Sequence, residues 1–137
     1  MKHLLFALLL GCAACVPAQM SAPTPSAFRP FVVADGRFRS AELNVGIPQG
    51  WRVVTSEADA PRTVTLVAPD GCGVIVVSVA PLREVVRSPN CPDAAVRGLL
   101  RRAAGGVFLS ASAPLEGWEA FARALESVSE SVEAAET

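Results

Sequence analysis

The sequence predicts an α+β domain, a mainly antiparallel sheet with two helices packed on one face, and three observations carry that expectation. The first apolar segments alternate with a period of two and are parted by tight-turn residues. The later ones space their apolar residues three and four apart, as on one face of a helix. Their order is strands, helix, strand, helix, which suits helices laid on a sheet already closed by hairpins.

Phe31 to Ala34, the pair Asp35-Gly36 and Arg37 to Arg39 read as a hairpin, because Asp-Gly accepts the positive φ angles of a two-residue turn. Ala41, Leu43, Val45 and Ile47 alternate with Glu42, Asn44 and Gly46, the pattern of a half-buried strand, and Pro48-Gln49-Gly50 turns the chain into Trp51 to Thr55. Arg62 to Ala68 and Val74 to Ala80 flank Pro69-Asp70-Gly71-Cys72-Gly73 and should pair as a second hairpin. The near-continuous apolar run of Val74 to Ala80 predicts a central strand covered on both faces.

A helix is expected over Pro92 to Ala104. Pro92 suits a first helical position, Asp93 the positive end of the helix dipole, and Gly105-Gly106 a stop. Val96, Leu99, Leu100 and Ala103 would then face the core, leaving Arg97, Arg101 and Arg102 as an outer basic stripe for anionic headgroups or an acidic partner, or as a plain solvated face. Val107 to Ala111 reads as a short strand. From Pro114 a last helix carries Leu115, Trp118, Phe121, Ala122, Leu125, Val128 and Val132 inward and Glu116, Glu119, Arg123, Glu126, Glu130 and Glu133 outward.

The amino terminus sets the domain organisation. Lys2 and His3 precede an apolar run, Leu4 to Leu10, far short of the roughly 20 residues that span a bilayer but suited to a signal-peptide core. Leu9-Leu10-Gly11-Cys12 resembles the lipobox at which bacteria lipidate and cleave an exported precursor. That resemblance implies a signal peptide over 1–11, lipidation of Cys12 and anchoring to a bacterial membrane on the periplasmic side, the outer membrane being favoured. Cleavage after Ala18, at a small-residue site, is the alternative. It would give a soluble periplasmic or secreted domain, with signal peptide 1–18. Lipidation of Cys15 is a third route, though Cys12 then stands where an aliphatic residue is usual. Residues 12–30 hold Pro17, Pro23, Pro25 and Pro30 among small and polar residues, the composition of a solvated tether, and 31–137 is long enough for one domain.

Composition excludes several chemistries. The whole chain of 137 residues has a net charge of −1, spread along its length, which argues against nucleic-acid binding. No Lys, His or Tyr follows His3. A Ser-His or Cys-His pair, imidazole metal ligation and a Lys Schiff base are therefore unavailable to the mature chain. Asp35 and Asp70 have turn roles, Asp93 a helix-start role, and the glutamates of the last helix a wet face. No enzyme activity, cofactor or metal site is expected. Cys72 and Cys91 are expected to pair as a structural disulfide in an oxidising compartment, since two thiols without His make a poor zinc site.

Leu43-Asn44-Val45-Gly46-Ile47-Pro48-Gln49-Gly50-Trp51, a strand closing in a P-x-G-W turn, together with a final helix bearing Phe121, Leu125 and Ser127, resembles the Mog1/PsbP-like α+β domains. The resemblance implies a binding or assembly role, as in envelope lipoproteins of that family, and carries over no functional residues. Trp51 either plugs one end of the core or is an exposed binding aromatic. Two functions follow as expectations: a module that binds or positions another envelope protein, through a sheet face or the Arg97/Arg101/Arg102 surface, and a carrier of a small apolar ligand. A soluble binding or inhibitor domain belongs to cleavage after Ala18.

The intact mass of the mature protein from its native membrane fraction is expected to correspond to a chain starting at Cys12 plus acyl groups. An unmodified chain starting at Gln19 would rule out the anchor.

Overall fold

The computed structural model describes residues 30–91 and 96–134. The expected signal peptide, Cys12, Cys15 and residues 12–29 of the tether lie outside the described residues, as do Pro92 and Asp93. Nine strands, β1 Phe31–Ala34, β2 Arg37–Ser40, β3 Leu43–Gly46, β4 Arg52–Val53, β5 Thr63–Val67, β6 Val74–Ser78, β7 Val96–Arg102, β8 Phe108–Pro114 and β9 Glu133–Ala134, accompany one α-helix, α1 Trp118–Ser131, among the described residues. The strands form two antiparallel sheets, of order β1-β2-β3-β9 and β4-β5-β6-β8-β7.

Local chemistry accounts for the hairpins. Asp35 and Gly36 adopt φ of 53° and 68°, the mirror-image turn whose twist matches two paired strands, and Ala34 faces Arg37 across it. In the β5–β6 turn the Asp70 carboxylate accepts the N–H groups of Cys72 at 2.8 Å and Gly73 at 3.1 Å, which closes the loop without a further strand residue.

Strand β6 is the third of five in its sheet and all five of its residues are buried, as its apolar run predicts. Ile75 and Val77 face one way, into a core completed by Phe38, Leu43 and Val45 of the smaller sheet and by Phe121, Leu125 and Val128 of α1. Val74 and Val76 face the other way and pack with Val67 and Leu82. The topology supplies the cover on that second side. β6 and β7 both run antiparallel to β8, hence parallel to each other, and parallel strands cannot be joined by a tight turn. The connection from Val79 onward therefore returns along the sheet as a strap. The Ser110 hydroxyl accepts the Val86 N–H at 3.0 Å, the Ser112 hydroxyl donates to the Val86 carbonyl at 2.6 Å, and the Ser88 hydroxyl donates to the Gly71 carbonyl at 2.6 Å. The Cys72–Cys91 disulfide, with Cα atoms 5.5 Å apart, ties the far end of the strap to the β5–β6 turn.

Of the helix expected over Pro92 to Ala104, the described residues form none: Val96–Arg102 is β7, followed by a single 3₁₀ turn at Ala104–Gly106. Gly98 was the readable signal against a helix. A Cβ there would sit 2.6 Å from Val85 Cγ1, so the strap passes directly over this strand. The spacing of Val96, Leu99, Leu100 and Ala103 fits a helix face, but burial on an edge strand needs only partial alternation, and Leu99 alone of β7 joins the main core. The fold is thus α+β with one α-helix among the described residues, not two. The last helix starts at Trp118, four residues after Pro114, which ends β8, and Leu115 is 58% exposed instead of inward.

The carboxyl end of α1 is built into the smaller sheet. Arg37 donates through Nη2 to the Ser131 carbonyl at 3.0 Å, where a cation is favoured by the helix dipole, and through Nε to Asn44 Oδ1 at 2.7 Å. The Gly46 N–H donates to Ser131 Oγ at 2.9 Å, and the chain continues directly into β9 against β3.

Replacing both Cys72 and Cys91 by Ala should lower unfolding free energy by about 3 kcal/mol, the loop-closure value for a separation of 19 residues. Urea denaturation of the double variant against the parent measures it, and an unchanged midpoint would refute a structural role.

Candidate functional site

A cleft of about 330 Å³ opens between the β5–β6 turn, the end of β8 and the first turns of α1. Its walls are Trp51, Phe121 and the alanines Ala68, Ala113, Ala120 and Ala124, with Asp70 and Glu116 at the rim. Each wall has a local cause. Trp51 is delivered by the Pro48-Gln49-Gly50 turn, closed by the Trp51 N–H donating to the Pro48 carbonyl at 3.1 Å. Phe121 lies on the inner face of α1 and reaches the turn only because residue 73 is glycine, where a Cβ would come within 2.9 Å of both Phe121 Cδ2 and Ala68 Cβ. Ala120 and Ala124, one helical turn apart beside Phe121, leave the space a longer side chain would fill.

Three aromatic rings run along one side. Trp51 and Phe121 have centroids 5.8 Å apart, Phe121 and Trp118 5.2 Å, both tilted, within the range where such pairs attract. Trp51 is half-buried and packs on the main core, so it plugs that end of the fold and also lines the cleft.

The predicted basic stripe is not one surface. A strand sends successive side chains to opposite faces, so β7 parts its arginines. Arg97 stacks over the Trp118 ring at 4.7 Å, and Arg101 pairs with Glu126 of α1 at 2.8 Å, both on the helix side. Arg102 stacks on Phe108 at 4.9 Å. All three have partners within the fold, and none lines the cleft with Trp51.

The rim offers little for bond-making chemistry. Asp70 is engaged by two backbone N–H groups, and Glu116 is exposed. Among the described residues no three His, Cys, Asp or Glu side chains come together as a metal site, and no helix is long and apolar enough to cross a membrane. The disulfide is the state favoured in an oxidising compartment.

Sequence reasoning found Trp51 and put Phe121 inward but missed the cleft. Its signal is the run of small residues, Gly73, Ala113, Ala120 and Ala124, placed by three separate elements and therefore without a common spacing in the chain. No family model, curated protein or solved structure matches this chain.

Arg101→Ala and Glu126→Ala should each shift stability by no more than about 1 kcal/mol, because this ion pair is partly exposed. Phe121→Ala should cost about 3 to 5 kcal/mol through the cavity left at a buried aromatic. Equilibrium denaturation of the three variants tests this ordering, and a larger loss for either charge variant would contradict it.

Proposed function

We propose that this chain is a non-catalytic bacterial envelope domain, anchored through acyl chains on Cys12, that binds or positions another envelope protein. The cleft takes up an apolar side chain of that partner. The observation that carries the reading is the Trp51–Phe121 cleft itself: a preformed, aromatic-walled recess open to solvent and of side-chain size. Interface anchors concentrate in such recesses, where a large side chain is desolvated against rings held by their own packing. The non-catalytic part rests on the lack of His and Lys beyond residue 3 and on the structural engagement of Asp70. It agrees with the binding or assembly role implied by the Mog1/PsbP-like resemblance.

The cleft volume of about 330 Å³ also supports a second reading, a carrier of a small apolar ligand, since ligand pockets begin near ~300 Å³. The partner reading is preferred because a recess of this shape leaves one side of its occupant in water.

A photo-cross-linking amino acid at exposed Glu116 should capture one discrete envelope protein in intact cells, and Ala120→Arg, which fills the cleft from its exposed wall, should abolish the adduct. Capture unaffected by Ala120→Arg would sink the cleft as the binding site. A co-purifying apolar small molecule, displaced by the same substitution, would establish the carrier instead.

A further inference from the structure

The strap lies over β7 at Gly98 and is bonded to β8 through Ser110 and Ser112, which leaves the β4–β5 end of the same sheet face open. Register decides which side chains stand there. Arg52 lies opposite Val67, and the Val54 N–H donates to the Thr65 carbonyl at 3.0 Å. Val67 packs with Val74, Val76 and Leu82 on the strap side, and strand side chains alternate, so Arg52, Val54 and Thr65 stand on that side too. With the strap residues from Val86 to Asn90 beside them, they enclose a recess of about 350 Å³.

Its base is apolar, since Val67 and Val74 are buried there, and its walls are apolar but wet: Val54 on the sheet is 49% exposed and Val86 on the strap 41%. Its charges have one sign. Arg52 and Arg87 line it and no Asp or Glu does. Neither arginine has an ion pair or a side-chain hydrogen bond among the described residues, whereas Arg62 and Arg101 pair with Glu42 and Glu126, and Arg37 is bonded to Asn44 and Ser131. Two cations beside an apolar base repel each other, and an anion between them turns that repulsion into attraction. Thr65 and Asn90 add uncharged hydrogen-bond donors to the lining. The strap wall is also fixed in advance. The Ser88 hydroxyl donates to the Gly71 carbonyl, the Asn90 N–H donates to Ser88 Oγ at 3.3 Å, and the Cys72–Cys91 disulfide follows, so little ordering remains to oppose binding.

We propose that this recess binds a single-chain anionic amphiphile, its hydrocarbon on Val54, Val67, Val74 and Val86 and its carboxylate or phosphate held by Arg52 and Arg87. A guanidinium matches either oxyanion with paired N–H donors. The volume lies at the small end of ligand sites and suits one alkyl chain with one head group. A bilayer surface does not meet the same demand, because its hydrocarbon stays behind its head groups, whereas here the apolar base lies beneath the arginines. The recess shares no residue with the Trp51 cleft, so either assignment stands without the other.

The test is photo-labelling of the full chain in its native membrane fraction with a diazirine-bearing dodecanoic acid, the labelled peptides being located by mass spectrometry. Label is expected between Val86 and Asn90 or at Arg52 to Val54, and dodecanoate and dodecyl phosphate should both displace it. Dodecanol, with the same tail and no charge, should compete about tenfold less well, as loss of charge-assisted hydrogen bonds requires. Arg52→Gln and Arg87→Gln, both at exposed positions, should each weaken dodecanoate competition by a similar factor with far-UV circular dichroism unchanged. Val54→Asp, which sets a carboxylate on the wall, should abolish the label. Equal competition by dodecanol, or arginine variants labelled like the parent, would overturn the proposal. So would label at Ala120 and Phe121, which would put the amphiphile in the Trp51 cleft. Labelling by a photoreactive phosphatidylglycerol in vesicles but not by the free acid would overturn it in favour of a membrane surface.

Discussion

Burial of β6 on both faces is the constraint from which the rest of the molecule follows. A strand reading Val-Ile-Val-Val-Ser has apolar side chains on each side, and removing both from water requires a layer above and a layer below. On one side α1 and the smaller sheet provide it. On the other only the crossover between two parallel strands is available, and it carries no regular structure of its own among the described residues.

Such a cover needs fixing, because an irregular segment brings backbone polar groups against a sheet face. Ser110 and Ser112 meet that need from the sheet itself. Both are fully buried, both project on the strap side of β8, and both bond the backbone of Val86. Valines in their place would suit the burial but leave the strap N–H and C=O without partners, which costs more than the apolar gain. The disulfide performs the same service at the strap's end and joins it to the turn that also walls the cleft.

The cleft is a by-product of how three elements meet. The β5–β6 turn, the end of β8 and the start of α1 converge with small residues at each contact, so half-buried Trp51 and the edge of buried Phe121 line its wall. Rings held by their own packing suit recognition, since little side-chain entropy remains to be lost on binding. The arginines of β7 serve differently: stacked on Trp118 and Phe108 and paired with Glu126, they lie along the sheet edge they protect.

Much of the fold was legible because it rests on local chemistry. Asp35-Gly36 dictates its turn through backbone angles, the alternation around Leu43 and Val45 reports one wet and one dry face, and the apolar run of β6 announces double burial. The cysteines of the disulfide could be paired from an oxidising compartment and the absence of rival ligands. The helix expected over Pro92 to Ala104 was misread because apolar spacing on an edge strand is set by neighbours distant in sequence, and Gly98 is explained only by Val85 above it. Sequence by itself determined the hairpins, the central strand, the final helix and the poverty of catalytic groups. Tertiary structure alone decided that the arginines separate onto two faces, that the strap covers β6, and that Trp51 shares a cleft with Phe121. Each of these depends on side chains brought together from separate elements, and no periodicity within one segment can encode such a meeting.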